Sequence, residues 1–475
     1  MGAITSEYGS VGDIGWYGSS YLLTSTALQP LYGKIYRIFD IKYSFLGAIA
    51  LFELGSLVSA MAPSSTAFII GRAVAGMGSA GLFSGSIVII LHSASSETTS
   101  LFGMFGCMWG IASVAGPLLG GVFTDHLTWR WGCGIDAGDH YVTSRAPVGR
   151  FSVSVERPTY YRLIAGAGAM ALVFIGIEHY QQDKGLLPPR FFKDRNLLCA
   201  MLFAAFFGAS FFPLIYYLSL YFQAIQGDSA VKAGIKLLPL LISVVISSII
   251  SGALITATGY YNPFILVEIA MVAVGAGLIT TLDLHTPFAN WFGYQVLDGL
   301  GVGVGFQASV IVVQNVVSRE LVPQATSCVQ FFQSLGGALF IAVAQTVFQN
   351  GLINGLARDA PHLDPGLFTH SGASQVRQVL ASIGQERMLD AVLGAYMRGL
   401  RHTYYISAAA ATVAFLAALG LQWKKIEKKG DGNTATAAGE IWRACTPAAE
   451  FDTYYEGAGE LCAASKLQKR RRGYP

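Results

Sequence analysis

The chain has 475 residues, of which 53% are hydrophobic and 12% charged, with a formal net charge of +3. A soluble domain carries about 25% charged residues, so these figures exclude a globule that presents charge to water on every side. The near-neutral balance gives no support to nucleic-acid binding, and six cysteines without a CxxC pair suggest neither a zinc site nor a disulfide framework.

Crossing a bilayer takes about 20 apolar residues per helix. In chain order, stretches of that kind lie at Trp16–Ile35, Tyr43–Met61, Ala67–Leu91, Leu101–Phe123, Tyr161–Glu178, Leu197–Phe222, Gly234–Gly259, Asn262–Leu282, Phe288–Gln314, Ala325–Phe348 and His402–Trp423. They are too long and too unbroken for barrel strands of about 10 residues. Backbone groups in lipid must be satisfied within their own segment. The expected fold is therefore all-α: a polytopic membrane protein of about 11 transmembrane helices.

Charge placement predicts the orientation. Lys34, Arg37 and Lys42 sit in one loop, Lys184, Arg190, Lys193 and Arg195 in another, and Lys424, Lys425, Lys428 and Lys429 after the last span. The connections Ala62–Thr66 and Asp283–Pro287 have no Lys or Arg. The positive-inside rule puts the basic group in the cytoplasm. Two stretches stand apart. Gly132–Arg162 falls on the outer side yet carries four arginines, and Gly351–Arg401 reads as a long outer loop. Within the latter, Leu389, Val392, Leu393, Tyr396 and Leu400 recur at helical spacing. They predict either a short amphipathic helix on the membrane surface or a solvated one. The polar tail 430–475 reads as a disordered cytosolic segment. The domain expectation is an incomplete N-terminal lobe (1–131), an aberrant outer loop (132–160), a central linker helix and cytosolic loop (161–196), a C-terminal lobe (197–423) and the tail (424–475).

Three local patterns carry chemistry. Gly33-Lys-Ile-Tyr-Arg37 with Lys42 forms a short basic loop between the first two spans. Arg72-Ala-Val-Ala-Gly76-Met-Gly78 puts an arginine inside an apolar helix. That is costly, so such a residue faces a water-filled cavity or a partner. Gly103, Ala112, Gly116, Pro117, Gly120 and Gly121 share one span. Small residues four apart let helix backbones approach closely, and a proline removes a backbone bond.

Together these patterns resemble motifs of the major facilitator superfamily: its GxLaDrxGrr loop, in which Gly33 and Lys42 match and Arg37 replaces the aspartate, its RxxxGxG helix and its antiporter motif G-x8-G-x3-GPxxGG. The phrases GWYGSSYLLT, FELGSL, GIASVAGPLLGGVFTDHLTWRW and LPPRFFKDR are similar to the fungal fourteen-helix drug:proton antiporters of that family. The resemblance covers roughly residues 12–131 and 161–423. It implies two helical lobes around a midplane cavity and proton-coupled efflux of drugs, toxins or other small amphipathic compounds. The partners it implies are a small-molecule substrate, protons and the bilayer, with no cofactor, for a monomer in the plasma membrane or, alternatively, the vacuolar membrane. The resemblance also implies that the chain is an incomplete copy, expected to lack the first helix and the sixth and seventh.

Proton coupling needs an intramembrane group that gains and loses charge. Glu53, Glu268 and Asp298 are the acidic candidates, alongside Arg72. For each acid the competing reading is a structural carboxyl hydrogen-bonded between helices. Phe211, Tyr216, Gln295, Gln307, Gln330 and Gln333 are candidates for a substrate cavity, against a plain role in helix packing. The string Gly299, Gly301, Gly303, Gly305 imitates a dinucleotide fingerprint but lies within a membrane helix and not after a strand, so that reading is rejected. No P-loop, catalytic triad or metal cluster is visible, and no enzyme is expected. Two rivals remain: a siderophore or amino-acid carrier of the same family, and a non-transporting membrane protein whose N-terminal lobe is too incomplete to cycle. The discordant residues after Trp131 read as a mis-spliced or shifted segment. On that reading, transcript sequencing returns a message that differs from the one encoding residues 130–165 as written, and an uninterrupted match rejects it.

Overall fold

The computed structural model describes residues 14–93, 176, 178, 180–181, 185–228, 230–363, 376–382 and 384–422. The long helices are α1 (Ile14–Ile38), α2 (Ile41–Ala60), α3 (Ser65–Ser93), α5 (Arg195–Ala224), α7 (Leu238–Thr258), α8 (Asn262–Ile279), α9 (Phe288–Val316), α10 (Val322–Asp359) and α12 (Leu389–Leu419). Short helices α4 (Pro189–Lys193), α6 (Ala230–Lys236) and α11 (Val376–Ser382) join them. Apart from the last three residues of α3, they belong to a compact unit made of Met1–Ile90 and Thr99–Glu427, and a second unit, Leu91–Thr98 with Lys428–Pro475, lies almost wholly outside the described residues. Eight of the helices are long and apolar enough to cross a membrane. The remaining long one, α1, is 25 residues with a run of Ser, Thr, Tyr and Gln. The expected spans Leu101–Phe123 and, almost entirely, Tyr161–Glu178 lie outside the described residues, as does Gly132–Arg162.

Local chemistry sets the helix ends. Asp40 caps α2 by accepting the Lys42 N–H at 2.8 Å, and Asp194 caps α5 by accepting from Asn196 N at 2.8 Å and Leu197 N at 3.2 Å. The expected span Gly234–Gly259 is divided at Leu237: α6 ends at Lys236 and α7 begins beside Pro239. Proline suits a first helical turn, where no N–H is needed. Gly259 ends α7 at φ 74°, a left-handed conformation that favours glycine.

The described bundle is held by very close helix approaches. A Cβ on Gly336 of α10 would lie 2.0 Å from the Ala205 carbonyl oxygen of α5, and one on Gly208 of α5 would lie 2.2 Å from the Gln333 oxygen. In the first lobe, Gly55 meets the Ala75 backbone and Gly78 the Phe52 backbone. Between α5 and α9, rings pack beside a glycine, Gly305, that admits the Phe207 ring. Phe207 and Phe211 stack at 6.1 Å, and both stand edge-on to Phe306 at 5.1 Å.

The outer end departs from expectation. The two ends of the segment read as a loop with a surface helix are continuations of two spans, residues 351–359 of α10 and 389–401 of α12. With 38 and 31 residues, α10 and α12 are about 57 Å and 46 Å long at 1.5 Å per residue, against about 30 Å of hydrocarbon. Leu389, Val392, Leu393, Tyr396 and Leu400 all belong to α12, and Val392, Tyr396 and Leu400 are buried against the core. Their helical spacing is there, but the apolar face meets protein and not the membrane surface. Gly351 and Gly355 of α10 approach Gly399 and Ala395 of α12, and Arg398 pairs with Asp359. The small helix α11 reaches the outer end of α5, its Arg377 donating to the Ile225 carbonyl at 3.2 Å.

These contacts predict a contrast between two glycines. Gly336→Ala forces α5 and α10 apart and should cost about 1–3 kcal/mol, as overpacking does. Gly277→Ala has nothing within 4 Å of the new methyl and should be neutral. Thermal unfolding of the purified protein in detergent checks both.

Candidate functional site

Each candidate side chain takes its place from its helix. Gly76 and Gly78, two residues apart on α3, face different neighbours. A Cβ on Gly76 would meet Thr24 and the Tyr21 carbonyl of α1, and one on Gly78 would meet Phe52 of α2. The Thr24 hydroxyl completes the crossing by donating to the Ala73 carbonyl at 2.9 Å. Arg72, one turn earlier, is 3% exposed. Its guanidinium lies 4.5 Å from the centre of the Tyr21 ring, a cation–π contact that gains strength when water is excluded. The arginine thus has a partner inside the lobe. Glu53 does not join it, because it lies on the exposed face of α2 beside Leu54 and Leu57.

The other two acids are buried between helices of the second lobe. Asp298 is 1% exposed on α9, with its Cα and Cβ against Gly275 of α8. Glu268 is buried on α8, and Oε1 lies 3.5 Å from the Ser247 hydroxyl of α7. Ser247 also donates to the Leu300 carbonyl, and Ser248 to the Gly303 carbonyl at 2.7 Å. The glycine string has a packing role in keeping with its membrane setting. Gly299 and Gly303 admit α7, Gly301 admits α8, and Gly305 admits the Phe207 ring of α5.

The expected cavity residues are dispersed. Phe211 is buried in the ring stack between α5 and α9, which makes it a core residue. Tyr216 is half-buried on α5, edge-on to Tyr217 at 5.0 Å. Tyr217 in turn donates to Gln345 at 3.2 Å. Gln295, Gln330 and Gln333 are all buried, and neither amide atom of Gln295 or Gln333 has a hydrogen-bond partner among the described residues. The Gln307 side chain lies outside the described residues, as do Gly103, Ala112, Gly116, Pro117, Gly120 and Gly121. Among the described residues no group of three or more His, Cys, Asp or Glu side chains could hold a metal ion.

The contact between the lobes was not expected from the sequence. At the end that charge placement assigns to the cytoplasm, Gly33 of α1 abuts Ser327 and Gln324 at the start of α10. Arg37 donates to Gln324 Oε1 at 3.0 Å. The Gln324 amide donates to the carbonyls of Gly185 and Leu186 at 3.0 and 3.3 Å. The Glu178 carboxylate accepts from Leu186 N and Leu187 N at 2.9 and 3.0 Å. One glutamine therefore ties the first lobe, the second lobe and the segment linking them. Arg37, the arginine of the short basic loop, engages α10 through a side-chain amide. Lys42 has an exposed side chain and matters here through its backbone. The only sequence signals for Gln324 and Glu178 are polar residues at span ends next to the Gly-Leu-Leu-Pro linker, and many solvated residues share that description.

Comparison with known proteins places these features in context. Residues 1–341 match the Major Facilitator Superfamily. The chain is 40% identical over 471 residues to the MFS-type efflux pump MFS1 of Arthroderma benhamiae, covering 90% of this chain and 87% of the relative. It is 36% identical over 469 residues to the efflux pump roqT of Penicillium rubens, covering 90% and 86%. Among solved structures, the proton:xylose symporter XylE superposes with a TM-score of 0.60 at 12% identity, covering 93% of each chain.

The Arg37–Gln324 contact predicts a shift in accessibility. Arg37→Ala should loosen the lobe contact and raise the labelling rate of a cysteine placed at Ser327 by a membrane-impermeant maleimide added from the cytosolic side. An unchanged rate would mean that the pair does not hold the lobes together.

Proposed function

Because the chain belongs to the Major Facilitator Superfamily, we propose that it exports small amphipathic compounds from the cell in exchange for protons. The family and the kinship with fungal efflux pumps are established by the matches above. Direction, substrate class and coupling are the proposed part. The observation that carries them is the efflux-pump kinship at 40% identity along 90% of the chain.

The geometry supports the reading in two ways. Helix α1 of the first lobe packs along α10 of the second, and polar contacts centred on Gln324 lie at the end of that pair assigned to the cytoplasm, where alternating access requires the lobes to part. Ionisable side chains are buried within apolar helices, and in membrane proteins these mark substrate and ion pathways. Arg72 is the candidate in the first lobe, and Asp298 and Glu268 in the second. Gln330 and Gln333 of α10 are the buried amides best suited to meet a substrate, since their helix also carries the lobe contact. The proposed working form is a monomer in the plasma membrane.

A yeast strain stripped of its own drug pumps provides the test. Expression of the full chain should raise tolerance to toxic amphipathic compounds several-fold, and Arg72→Leu should remove that gain with the protein still present in the membrane. Changed uptake of one siderophore or amino acid would favour the carrier reading. A stably inserted protein without effect on either would favour the non-transporting one.

A further inference from the structure

Helices α5 and α12 meet at the cytosolic end of the second lobe, and their meeting gathers basic residues that the sequence keeps far apart. Asn196, in the first turn of α5, and Gln422, just past α12, bind each other twice. The Asn196 amide donates to Gln422 Oε1 at 3.1 Å, and the Gln422 N–H donates to Asn196 Oδ1 at 2.9 Å. The Gln422 carbonyl accepts from Asn262, at the start of α8, at 3.2 Å. A Cβ on Gly420 would lie 2.6 Å from the Cys199 sulfur, so the two helices are also in contact one turn away from the clamp. The chain leaving α12 is therefore pinned to the first turn of α5. Lys424 and Lys425 follow Gln422 by two and three residues, which keeps their Cα atoms within about 7 and 11 Å of its own. On the α5 side, Lys193 and Arg195 precede Asn196 directly.

The local acids leave this cluster positive. Lys193 and Arg195 are exposed and form no ion pair among the described residues. Asp194, between them, is occupied, because its carboxylate accepts the backbone N–H groups of Asn196 and Leu197. After Gln422, the lysines 424, 425, 428 and 429 stand against one acid, Glu427, before Gly430. The adjoining surface is apolar. Arg195, Leu198 and Leu202 are three and four residues apart on α5 and so share one helix face, and both leucines are exposed. Near the end of α12, Leu416 and Leu419 are exposed as well. On a spanning helix such leucines meet acyl chains.

We propose that this junction binds an anionic phospholipid of the cytoplasmic leaflet. Its headgroup oxygens meet Lys193, Arg195, Lys424 and Lys425, and its acyl chains lie along Leu198 and Leu202. Basic clusters immediately cytoplasmic of a membrane helix recognise acidic lipids. The fold adds the Asn196–Gln422 clamp, which brings charges from the first and last helices of the second lobe within reach of one headgroup. A soluble phosphate would engage the charges alone, whereas the apolar stripe that continues from Arg195 suits a ligand with both an anionic head and a hydrocarbon body. This binding is independent of what the protein transports and in which direction.

The test uses the full chain in phosphatidylcholine vesicles that contain a minor fraction of phosphatidylserine, with one lipid or the other brominated on its acyl chains. Trp423, between Gln422 and Lys424, is the reporter, its emission taken as the difference between the wild type and Trp423→Phe. At equal fractions, brominated phosphatidylserine should quench this emission more than brominated phosphatidylcholine, and the excess should fade at high salt. Lys193→Gln combined with Arg195→Gln should lower the relative affinity for phosphatidylserine about five-fold per charge. Asn196→Leu, which keeps every charge and removes the clamp, should also lower it. Equal quenching by the two lipids in the wild type overturns the proposal and leaves the charges a purely topological role. A preference that survives either the charge variant or Asn196→Leu overturns it too. Relief of the excess quenching by soluble glycerophosphoserine at the same concentration overturns the lipid assignment in favour of a soluble anion. Should a variant fail to insert, the lipid comparison in the wild type and its salt dependence still decide.

Discussion

Close contact between helix backbones is the constraint from which the rest of this molecule follows. In lipid, apolar side chains gain little by leaving one oily neighbour for another, so helices associate through van der Waals fit and buried hydrogen bonds. Here the fit depends on glycines placed where a single methyl would collide with a neighbouring backbone, such as Gly336 against Ala205 and Gly78 against Phe52. Backbones that near also bring hydroxyls within reach of the next helix's carbonyls. Thr24 bonds Ala73, and Ser248 bonds Gly303. Packing and polar bonding are therefore one arrangement.

The two lobes use this arrangement differently. Within the second lobe, α9 is enclosed by glycine contacts to α5, α7 and α8 and by the Phe207–Phe306–Phe211 stack. Its outer end is reinforced by the α10–α12 extension and by Arg398 paired with Asp359. Between the lobes, α1 packs along α10, and Gln324 centres a polar contact at one end of that pair. A lobe whose interior is fixed in this way can rock against its partner without repacking inside, with the α1–α10 contact as the part that must change, which is what an alternating-access cycle demands of the fold.

Burial then sorts the charges. Arg72 is accommodated by the Tyr21 ring, Glu178 by two backbone amides, and Glu268 has a serine hydroxyl within reach. Asp298 is placed against Gly275, where there is no side chain to answer it. Of three acids that look equivalent as letters in apolar runs, one faces outward and two face a helix seam.

Hydropathy and charge by themselves determined the all-helical membrane architecture, because the bilayer fixes how long and how apolar a spanning helix must be. Motif spacing carried the family resemblance, and the membrane setting of Gly299–Gly305 sufficed to discard a nucleotide fold. Which face each residue presents is another matter. Phe211 became core, Glu53 came to lie outside, and Leu389–Leu400 proved to be the start of α12, since a helical period reports an apolar face without saying whether lipid, water or protein will cover it. The Arg37–Gln324 pair joins residues 287 positions apart. Only the folded chain could decide it, because a contact of that range depends on how whole helices dock and leaves no periodic trace in the letters.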